Sequence, residues 1–235
     1  INSGSHKIGY LMYNGFYSGY ESQLNAAFGT LKSENITDLV LDLRYNSGGS
    51  VATATRLASM ITGQFPGQLF AKEQWNAKAQ TFFEENNPSN LRNNFTTTIN
   101  NGAQINSLNL SKVYVLTTIS TASASELVIN GLDPYINVVQ IGTKTTGKNV
   151  GSITLYDSPD YGKEGSSTNH KYAMQPIVLK IVNKNDFGDY LGGLLPDINK
   201  VENFANLGIL GNESETLLST AIGQITGSAR PTISA

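Results

Sequence analysis

The chain has 235 residues, which is enough for one large domain with a sizeable buried core. Its net charge is −2 and only 14% of its residues are charged, so it offers no basic stripe for binding nucleic acid. It contains no cysteine, which excludes disulfides, thiol nucleophiles and cysteine-bound metals.

The first sixty residues predict alternating strands and helices. Residues 7–13 (KIGYLMY) and 39–43 (LVLDL) are apolar runs typical of strands. Apolar residues recur at helical spacing over residues 20–31 and again over residues 51–61. This alternation predicts an α/β core with a largely parallel sheet.

Residues 64–110 show a weaker pattern. Short strands are predicted at 68–72 and 96–99, with an aromatic and then Asn-rich stretch between them. We predict that the whole segment is an insertion similar to a lid, because long segments without periodicity are usually functional or mobile. Its larger aromatic side chains could line a substrate cleft, although anchoring to the core is their commoner role. They are Trp75, Phe82 and Phe83.

The most informative stretch follows residue 112. An apolar run at 113–116 predicts a buried strand, and small hydroxylated residues lead from it into a helix that begins near Ser123. A second strand at 138–141 leads into a Gly/Thr turn that carries Lys148. The helix N-terminus at Ser123 favours a developing negative charge. A serine nucleophile needs a base beside it, and a lysine neutralised by burial can serve.

The C-terminal third predicts two more strands, a loop and a helix. The strands are expected at 152–155 and 173–182, with a Gly-, Pro- and Ser-rich loop between them. The helix is expected to begin near Glu213. We therefore predict one domain over residues 1–227 and a disordered tail over residues 228–235.

Ser123 has an ordinary structural alternative. Together with Glu126 it fits a capping box, in which a serine and a glutamate satisfy free N–H groups at the start of a helix. Thr121 and Ser125 are also hydroxylated, so residue types alone do not identify the nucleophile. Glu126 is expected to cap the helix under either interpretation.

Lys148 also has alternatives, of which the simplest is a solvated lysine in a glycine turn. Residues 142–149 (GTKTTGKN) fit the G-x-x-x-x-G-K pattern of phosphate-binding loops and follow a predicted strand. However, Asn149 stands where Ser or Thr would bind Mg²⁺. The residues after it predict a strand, whereas a phosphate site needs the N-terminus of a helix. We therefore expect no nucleotide site.

Three short motifs form a combined pattern. They are DLRYNSGG at 42–49, TASASE at 121–126 and TTGK at 145–148, with Ser123 and Lys148 separated by 25 positions. This combination resembles the C-terminal processing (tail-specific) serine peptidases, most closely the branch found in Bacteroidetes-type bacteria. The resemblance extends over nearly the whole chain. It implies a ClpP/crotonase-like α/β core, in which a largely parallel sheet is flanked by helices.

The resemblance implies a catalytic Ser–Lys dyad, with Ser123 as the nucleophile and Lys148 as the general base. A base of this kind needs desolvation, so we expect the lysine side chain to lie in a dry pocket. The N–H groups of Gly49 and Ala124 would form the oxyanion hole, where two donors typically lower the barrier by several kcal/mol. The residues expected to support the site are Gly48, Glu126 and Thr145. Gly48 is also the alternative oxyanion donor.

The sequence departs from the family pattern in two respects. Many proteins of the family carry a glutamine four residues after the lysine, where this chain has Ser152. The identity of a third catalytic residue therefore stays open. The PDZ domain and N-terminal region common in the family are not found here, as expected for a catalytic domain separated from a longer precursor. Asp42 and Arg44 are expected to hold the upstream loop rather than to touch substrate.

The two histidines, His6 and His170, are candidates for the base of the commoner Ser–His–Asp triad. Neither has a sequence neighbour that would orient it. A related tricorn-type branch does use histidine, which keeps His170 as an alternative. No His, Asp or Glu cluster has metal-ligand spacing, so neither a metal nor another cofactor is expected.

These features predict a serine endopeptidase that acts through an acyl-enzyme and processes or degrades proteins from the C-terminal side. Its partner would be a peptide or protein. The alternative is an inactive peptidase-fold domain that binds peptides or a surface partner. The uncharged polar composition is typical of periplasmic, cell-envelope or secreted bacterial proteins. No apolar run approaches the roughly 18 residues that span a bilayer, so membrane anchoring is expected only through a missing N-terminal region.

Overall fold

The computed structural model describes residues 1–228, so most of the tail predicted at 228–235 lies outside the described residues. The strands, in chain order, are β1 (Asn2–Ser3), β2 (His6–Met12), β3 (Asp38–Asp42), β4 (Leu69–Trp75), β5 (Arg92–Asn94), β6 (Lys112–Thr117), β7 (Asn137–Gly142), β8 (Val150–Ser152), β9 (Leu155–Tyr156), β10 (Ala173–Met174), β11 (Ile177–Asn183) and β12 (Ile198–Asn199). The α-helices are α1 (Glu21–Ser33), α2 (Val51–Thr62), α3 (Ala77–Asn86), α4 (Ala124–Leu132) and α5 (Thr216–Thr226).

Six strands form the central sheet, in the spatial order β1-β2-β3-β6-β7-β12. All neighbouring pairs from β2 to β12 are parallel, and only the short β1 runs antiparallel to β2. Helices lie in the crossovers from β2 to β3, from β3 to β6 and from β6 to β7, as the alternating sequence pattern requires. The predicted α/β core with a largely parallel sheet flanked by helices is confirmed.

The central sheet is buried on both faces because its strands are apolar throughout. Leu39 and Leu41 point to a core shared with α1, α2 and α4, whereas Val40 points to the opposite face. There α5 covers the sheet with Leu217 and Leu218, neither of which is exposed to solvent. The helices packed on both faces hold the central sheet in place, and the loops of the candidate site begin at the ends of its strands.

A second sheet of four antiparallel strands has the order β5-β4-β11-β8. It joins the segment at 64–110 to the C-terminal strand β11, and Phe70 and Phe95 of that segment are buried in the main core. The predicted strand at 96–99 is wrong: the strand is β5 at 92–94, and Thr98 forms only an isolated bridge to Gln104.

Helix α3 lies within the same segment and was not predicted, because its sequence is polar and Asn-rich. Asn76 caps it by accepting a hydrogen bond from the N–H of Ala79 at 3.2 Å. The ring of Phe83 packs against Trp75 with 5.0 Å between ring centroids, and Trp75 in turn contacts the core. This packing matches the anchoring role, since neither aromatic residue lines the cleft described below.

The strands predicted at 152–155 and 173–182 are each divided in two. The pair β9–β10 forms a separate two-stranded hairpin, while β8 and β11 belong to the four-stranded sheet. Pro176 separates β10 from β11, because proline lacks the N–H that a continuous ladder needs. The two strands therefore form a sheet of their own instead of extending the second sheet.

The last helix, α5, begins three residues later than the sequence predicts. Glu215 is its N-cap and accepts hydrogen bonds from the N–H groups of Leu217 and Leu218 at 3.2 and 2.9 Å. Gly227, with φ of 70°, ends the helix in a left-handed conformation. Within residues 1–228, no helix combines the length and the apolar character needed to cross a membrane.

Candidate active site

The candidate site lies at the carboxyl ends of the parallel strands β3, β6 and β7. The loop after β3 carries Gly48 and Gly49, the turn after β6 carries Ser123, and the loop after β7 carries Lys148. The carboxyl ends of parallel strands meet at one edge of a sheet, where ligands bind in open α/β folds. Residues that are distant in sequence therefore come together at this edge.

Ser123 occupies a sharp turn between β6 and α4 and is half-buried. Its backbone has φ of 58° and ψ of −114°, a conformation that is costly for any residue other than glycine. Such strain concentrates at functional turns that present a side chain at a strand-to-helix junction. Its N–H donates to Oε2 of Glu126 at 2.8 Å, which is the glutamate half of the predicted capping box.

Glu126 is fully buried and accepts four hydrogen bonds. Besides the N–H of Ser123, its carboxylate accepts the hydroxyl of Thr145 at 2.5 Å, the N–H of Gly147 at 2.6 Å and the N–H of Lys148 at 2.8 Å. Because each oxygen takes two donors, the buried charge is well compensated. One side chain thus connects the Ser123 turn to the Lys148 loop.

Thr145 is equally buried and continues this network. Its hydroxyl also accepts the N–H of Leu194 at 2.8 Å, and its own N–H donates to the carbonyl of Leu194 at 3.1 Å. The loop of Lys148 is therefore held from two sides. The structure brings the predicted supporting residues Glu126 and Thr145 into direct contact.

Lys148 lines the same cleft as Ser123, but its side chain is exposed. Its ammonium group forms no ion pair or hydrogen bond within residues 1–228. The expectation that this lysine lies in a dry pocket is therefore wrong for the free protein, because the cleft beside it is open to solvent.

The two glycines of the upstream loop differ in what their N–H groups do. The N–H of Gly48 donates to Oδ1 of Asn46 at 2.8 Å, whereas that of Gly49 has no acceptor within residues 1–228. Ala124 is the first residue of α4, where N–H groups lack intrahelical acceptors. Gly49 and Ala124 are thus the available donors, and the geometry disfavours Gly48 as an alternative.

Gly48 instead permits the close approach of the two loops. A Cβ at this position would lie 2.7 Å from the Cβ of Ser123 and 2.9 Å from the backbone nitrogen of Ala124, and its φ is 104°. Only glycine tolerates both the conformation and the contact. The residue therefore sets how near the glycine loop lies to the strained serine.

Asn46 is a site residue to which the sequence motif gave no role. Its side chain is fully buried; Nδ2 donates to the carbonyl of Tyr13 at 2.7 Å, while its backbone carbonyl accepts the hydroxyl of Ser125 at 2.9 Å. It joins the glycine loop to the start of α4. The only sequence signal was its position inside DLRYNSGG.

Arg44 and Asp42 hold the base of the glycine loop and do not line the cleft. Arg44 is 1% exposed and forms paired hydrogen bonds with Glu215 at 2.9 and 3.0 Å, and it also contacts Asp42 and Glu202. Tyr45 adds a hydrogen bond to Glu202 at 2.6 Å. This arrangement agrees with the expected structural role.

The cleft has a volume of about 420 Å³. One wall is apolar and includes Leu127, Leu179, Ile181 and Tyr190. Burial, and after it the charge of Glu126, raise the pKa of the Tyr190 phenol well above its ordinary value, so this wall carries no charge. The cleft can therefore accommodate an apolar side chain next to Ser123.

Ser152, which stands where the resemblance led us to expect a glutamine, lies in the cleft. It is exposed, as is Gln175, a second cleft residue that the sequence reasoning missed. The side chain of Gln175 donates to the hydroxyl of Thr154 at 3.0 Å. No sequence signal identifies it, since it follows the β9–β10 hairpin and reaches the cleft only through the fold.

Comparison with known proteins supports the family suggested by the motifs. The model of peptidase family S41 matches residues 7–175, which is more than half of the chain. This protein belongs to peptidase family S41.

Solved structures agree with the S41 assignment. One is a protein of Bacteroides fragilis NCTC 9343 that is assigned to the S41 proteases. It is 31% identical to this chain with a TM-score of 0.83, and the match covers 98% of this chain and 57% of the other. A protein assigned as a peptidase of Parabacteroides merdae is 21% identical with a TM-score of 0.59, over 97% of this chain and 64% of its own. The photosystem II D1 C-terminal processing protease is 20% identical with a TM-score of 0.57, over 83% of this chain and 42% of its own.

The two less similar structures support the fold alone. In each of the three comparisons, the S41 chain described here spans less than two thirds of the relative's length.

Neither histidine of this S41 chain reaches the cleft. His6 pairs with Asp38 at 2.7 Å, at the start of β3 and hence at the opposite end of the sheet from Ser123. His170 pairs with Asp157 at 3.2 Å in the loop between β9 and β10. The described geometry does not place a histidine beside the serine.

The loop at residues 142–149 fits a phosphate-binding sequence pattern but differs from such a loop in its structure. The loop that resembles a phosphate-binding motif is followed by strand β8 and not by a helix, so it lacks the helix N-terminus that would bind phosphates. Within residues 1–228, no three His, Asp or Glu side chains lie close enough together to hold a metal ion.

Proposed function

We propose that this chain is a serine endopeptidase domain that hydrolyses peptide bonds with Ser123 as nucleophile and Lys148 as general base. The observation that carries the proposal is that both residues line one cleft while a single carboxylate, Glu126, binds the backbone N–H of each. Membership of peptidase family S41 supports the same chemistry.

The reaction would proceed in two halves. Neutral Lys148 takes the proton of the Ser123 hydroxyl while Oγ attacks the scissile carbonyl carbon, and the N–H groups of Gly49 and Ala124 bind the resulting oxyanion. The lysine ammonium then protonates the leaving amine as the C–N bond breaks, which leaves an acyl-enzyme. Water attacks this ester with Lys148 again as the base, and the serine hydroxyl is restored.

The exposure of Lys148 fits this scheme if the substrate completes the site. A peptide in the cleft would exclude water from the lysine and thereby favour its neutral form. The free protein would then be a resting state whose base becomes competent on binding.

A serine-directed fluorophosphonate probe that carries a peptide, and so fills the cleft as a substrate would, tests the proposal. We expect Ser123 to be labelled, labelling to be lost in Ser123→Ala, and labelling to persist in Ser120→Ala, a control that changes an exposed serine three residues earlier. Cleavage of an unstructured protein should likewise be lost in Ser123→Ala and persist in Ser120→Ala. Absence of labelling in the wild-type chain would contradict the proposal.

The second candidate function is a catalytically inactive domain that binds peptides or a surface partner. The exposed Lys148 and the presence of Ser152 in place of a glutamine favour it. It predicts that peptides bind the cleft with similar affinity in the wild type and in Ser123→Ala, without any cleavage or labelling.

We further propose that substrates are processed or degraded from their C-terminal side, and that the protein acts in the periplasm, at the cell envelope or after secretion. The resemblance of the sequence motifs to those of the C-terminal processing peptidases supports the first statement. The uncharged polar composition supports the second.

A further inference from the structure

A second cavity, separate from the cleft, lies where helix α4 ends. It has a volume of about 200 Å³ and shares no lining residue with the cleft. Its walls come from the last turns of α4, from β7 and from the segment between β11 and β12. Sites for small molecules usually measure about 300–1,000 Å³, so this cavity suits a single side chain.

Two carboxylates at this cavity have no positively charged partner. Asp133 and Asp197 both line it and are exposed, and neither forms an ion pair within residues 1–228. Asp133 is the C-terminal cap of α4, where the helix dipole adds negative potential. No lysine, arginine or histidine among the described residues lines the cavity. The site therefore attracts a positive charge.

A third oxygen at the cavity belongs to a buried amide. Gln140 is 3% exposed, and its Nε2 donates to Oγ1 of Thr117 at 3.0 Å and to the carbonyl of Leu194 at 3.2 Å. Its Oε1 accepts no hydrogen bond within residues 1–228 but is not sealed from solvent. Because Gln140 lines the cavity, this is where the oxygen reaches solvent. A nearly buried oxygen without a donor favours an occupant that supplies one.

The remaining walls are apolar. Phe187 and Leu195 are 48% and 76% exposed, and nothing within residues 1–228 covers them fully. The other apolar lining residues are Ile129, Val138 and Leu194. A metal ion would gain nothing from such walls, whereas lysine and arginine combine an apolar stem with a charged end. The cavity therefore matches a basic side chain.

The neighbouring sheet edge indicates that the occupant is part of a polypeptide. Within residues 1–228, β12 pairs with β7 only at Ile141 and Gly142. The N–H of Gln140 points to the same side and donates to Oδ2 of Asp197 at 2.7 Å. Alternate residues of a strand direct their backbone groups to the same neighbour, so those of Val138 point to the open edge. Such groups pair with the backbone of another chain.

We propose that this cavity binds a basic side chain of a partner polypeptide, with its charged end between Asp133 and Asp197. The side chain donates to Oε1 of Gln140 and lays its stem against Phe187 and Leu195. Arginine is preferred over lysine, because five N–H donors serve three separate acceptor groups better than a single ammonium does. The site lies outside the cleft, so the partner is distinct from the substrate of the proposed peptidase.

A peptide with a central arginine between apolar residues tests the charge. Its binding is measured by fluorescence anisotropy in Ser123→Ala, so that the peptide is not cleaved. The control peptide carries citrulline, which has the shape of arginine without its charge. We expect the citrulline peptide to bind at least fivefold more weakly and a lysine peptide to fall between the two. Equal affinities for the arginine and citrulline peptides would overturn the proposal.

Two changes in the protein test the location. Asp133→Asn and Asp197→Asn should each raise Kd of the arginine peptide about twofold to fivefold, as for an ion pair between exposed groups. Glu85→Gln removes the same charge from an exposed residue of α3 that lines neither the cavity nor the cleft, and should bind as the parent does. Unchanged binding in both Asn variants, or an equal loss in Glu85→Gln, would contradict the proposed site.

The activity is followed separately. With Ser123 intact, both Asn variants should still take up the fluorophosphonate probe. Failure of the wild type to take up the probe would contradict the proposed peptidase while leaving the binding measurements valid.

Two further measurements use the unmodified protein. Raising the salt concentration from about 50 mM to about 500 mM should weaken binding of the arginine peptide severalfold and leave that of the citrulline peptide unchanged, since salt screens exposed charges. Equal salt dependence of the two peptides would overturn the proposal. Sedimentation should show a monomer, because a dimer that Asp197→Asn abolishes would assign the cavity to a second copy of this chain and not to a partner.

Discussion

Ser123 and Lys148 are held by the same atom, since Oε2 of Glu126 accepts the backbone N–H of each at 2.8 Å. The two residues lie 25 positions apart and on loops that follow different strands. A displacement of the glutamate would therefore move both the proposed nucleophile and the loop of the proposed base. Glu126 acts as a positioning residue for the pair.

Glu126→Gln tests this relationship. An amide presents an NH₂ group where a carboxylate oxygen had accepted two hydrogen bonds, so two donors at the site lose their acceptor. We expect kcat to fall about 10²-fold, because misplacement of reacting groups by about 1 Å has that effect. The melting temperature should fall as well.

The control for Glu126→Gln is Thr145→Val, which removes one hydroxyl from the network and leaves the N–H groups of Ser123 and Lys148 bound. It should lower stability with a smaller loss of kcat. Equal losses of kcat in the two variants would indicate that Glu126 acts only through general stability.

Lys148→Arg tests the base. Guanidinium stays protonated and cannot accept the serine proton, so we expect kcat to fall by about 10²–10⁴-fold, the usual contribution of general acid–base catalysis. Because the side chain is exposed, the free energy of unfolding should change by less than about 0.5 kcal/mol. Retention of more than a tenth of the wild-type rate in Lys148→Arg would exclude lysine as the base.

Gly48→Ala tests the approach of the glycine loop to Ser123. The added Cβ would lie 2.8 Å from the carbonyl oxygen of Ala122 and 2.9 Å from the nitrogen of Ala124. Gly67→Ala is the matched control, since Gly67 also has a positive φ, of 78°, but open space around it. Both changes strain the backbone at a cost of about 1–2 kcal/mol, whereas only Gly48→Ala should lower kcat, by about 10²-fold. Similar kinetics in the two variants would contradict this role.

Glu215→Gln tests the anchor of the DLR loop through its dependence on pH. Burial opposes ionisation of Glu215, but hydrogen bonds from Arg44 and from two N–H groups outweigh it, so the pKa of this carboxyl lies below its ordinary value of 4.5. The stabilisation is therefore fully present above pH 4.5 and is lost as the pH falls through the lower, folded-state value.

We expect Glu215→Gln to lower the free energy of unfolding by about 1.5–3 kcal/mol at pH 7, as for lost hydrogen bonds to a charged group. Urea unfolding at pH 7 and at pH 3.5 should show the difference from wild type shrinking in acid. Glu213→Gln, an exposed neighbour, should differ little from wild type at either pH. A difference that does not vary with pH would indicate loss of packing alone.

Several elements could be predicted because their signals are local. The apolar run of β3, the helical spacing of α2 and the start of α4 at Ser123 all follow from short sequence patterns, and the structure confirms them. The strand at 96–99 was wrong and α3 was missed, because β5 belongs to a sheet in which its partner β4 pairs with β11, more than 100 residues further along the chain. Pairing over such distances leaves no local signal.

For the candidate site, the sequence by itself identified the residues to which we assign the proposed chemistry. The motifs containing Ser123, Lys148 and Gly49 were found without coordinates, and their catalytic roles stay predictions. The tertiary structure alone decided how these residues are arranged: that Glu126 binds two loops with one oxygen, that Lys148 is exposed, and that residues of β8 line the cleft. The physical reason is that hydrogen bonding and burial depend on neighbours in space, which the order of residues along the chain does not specify.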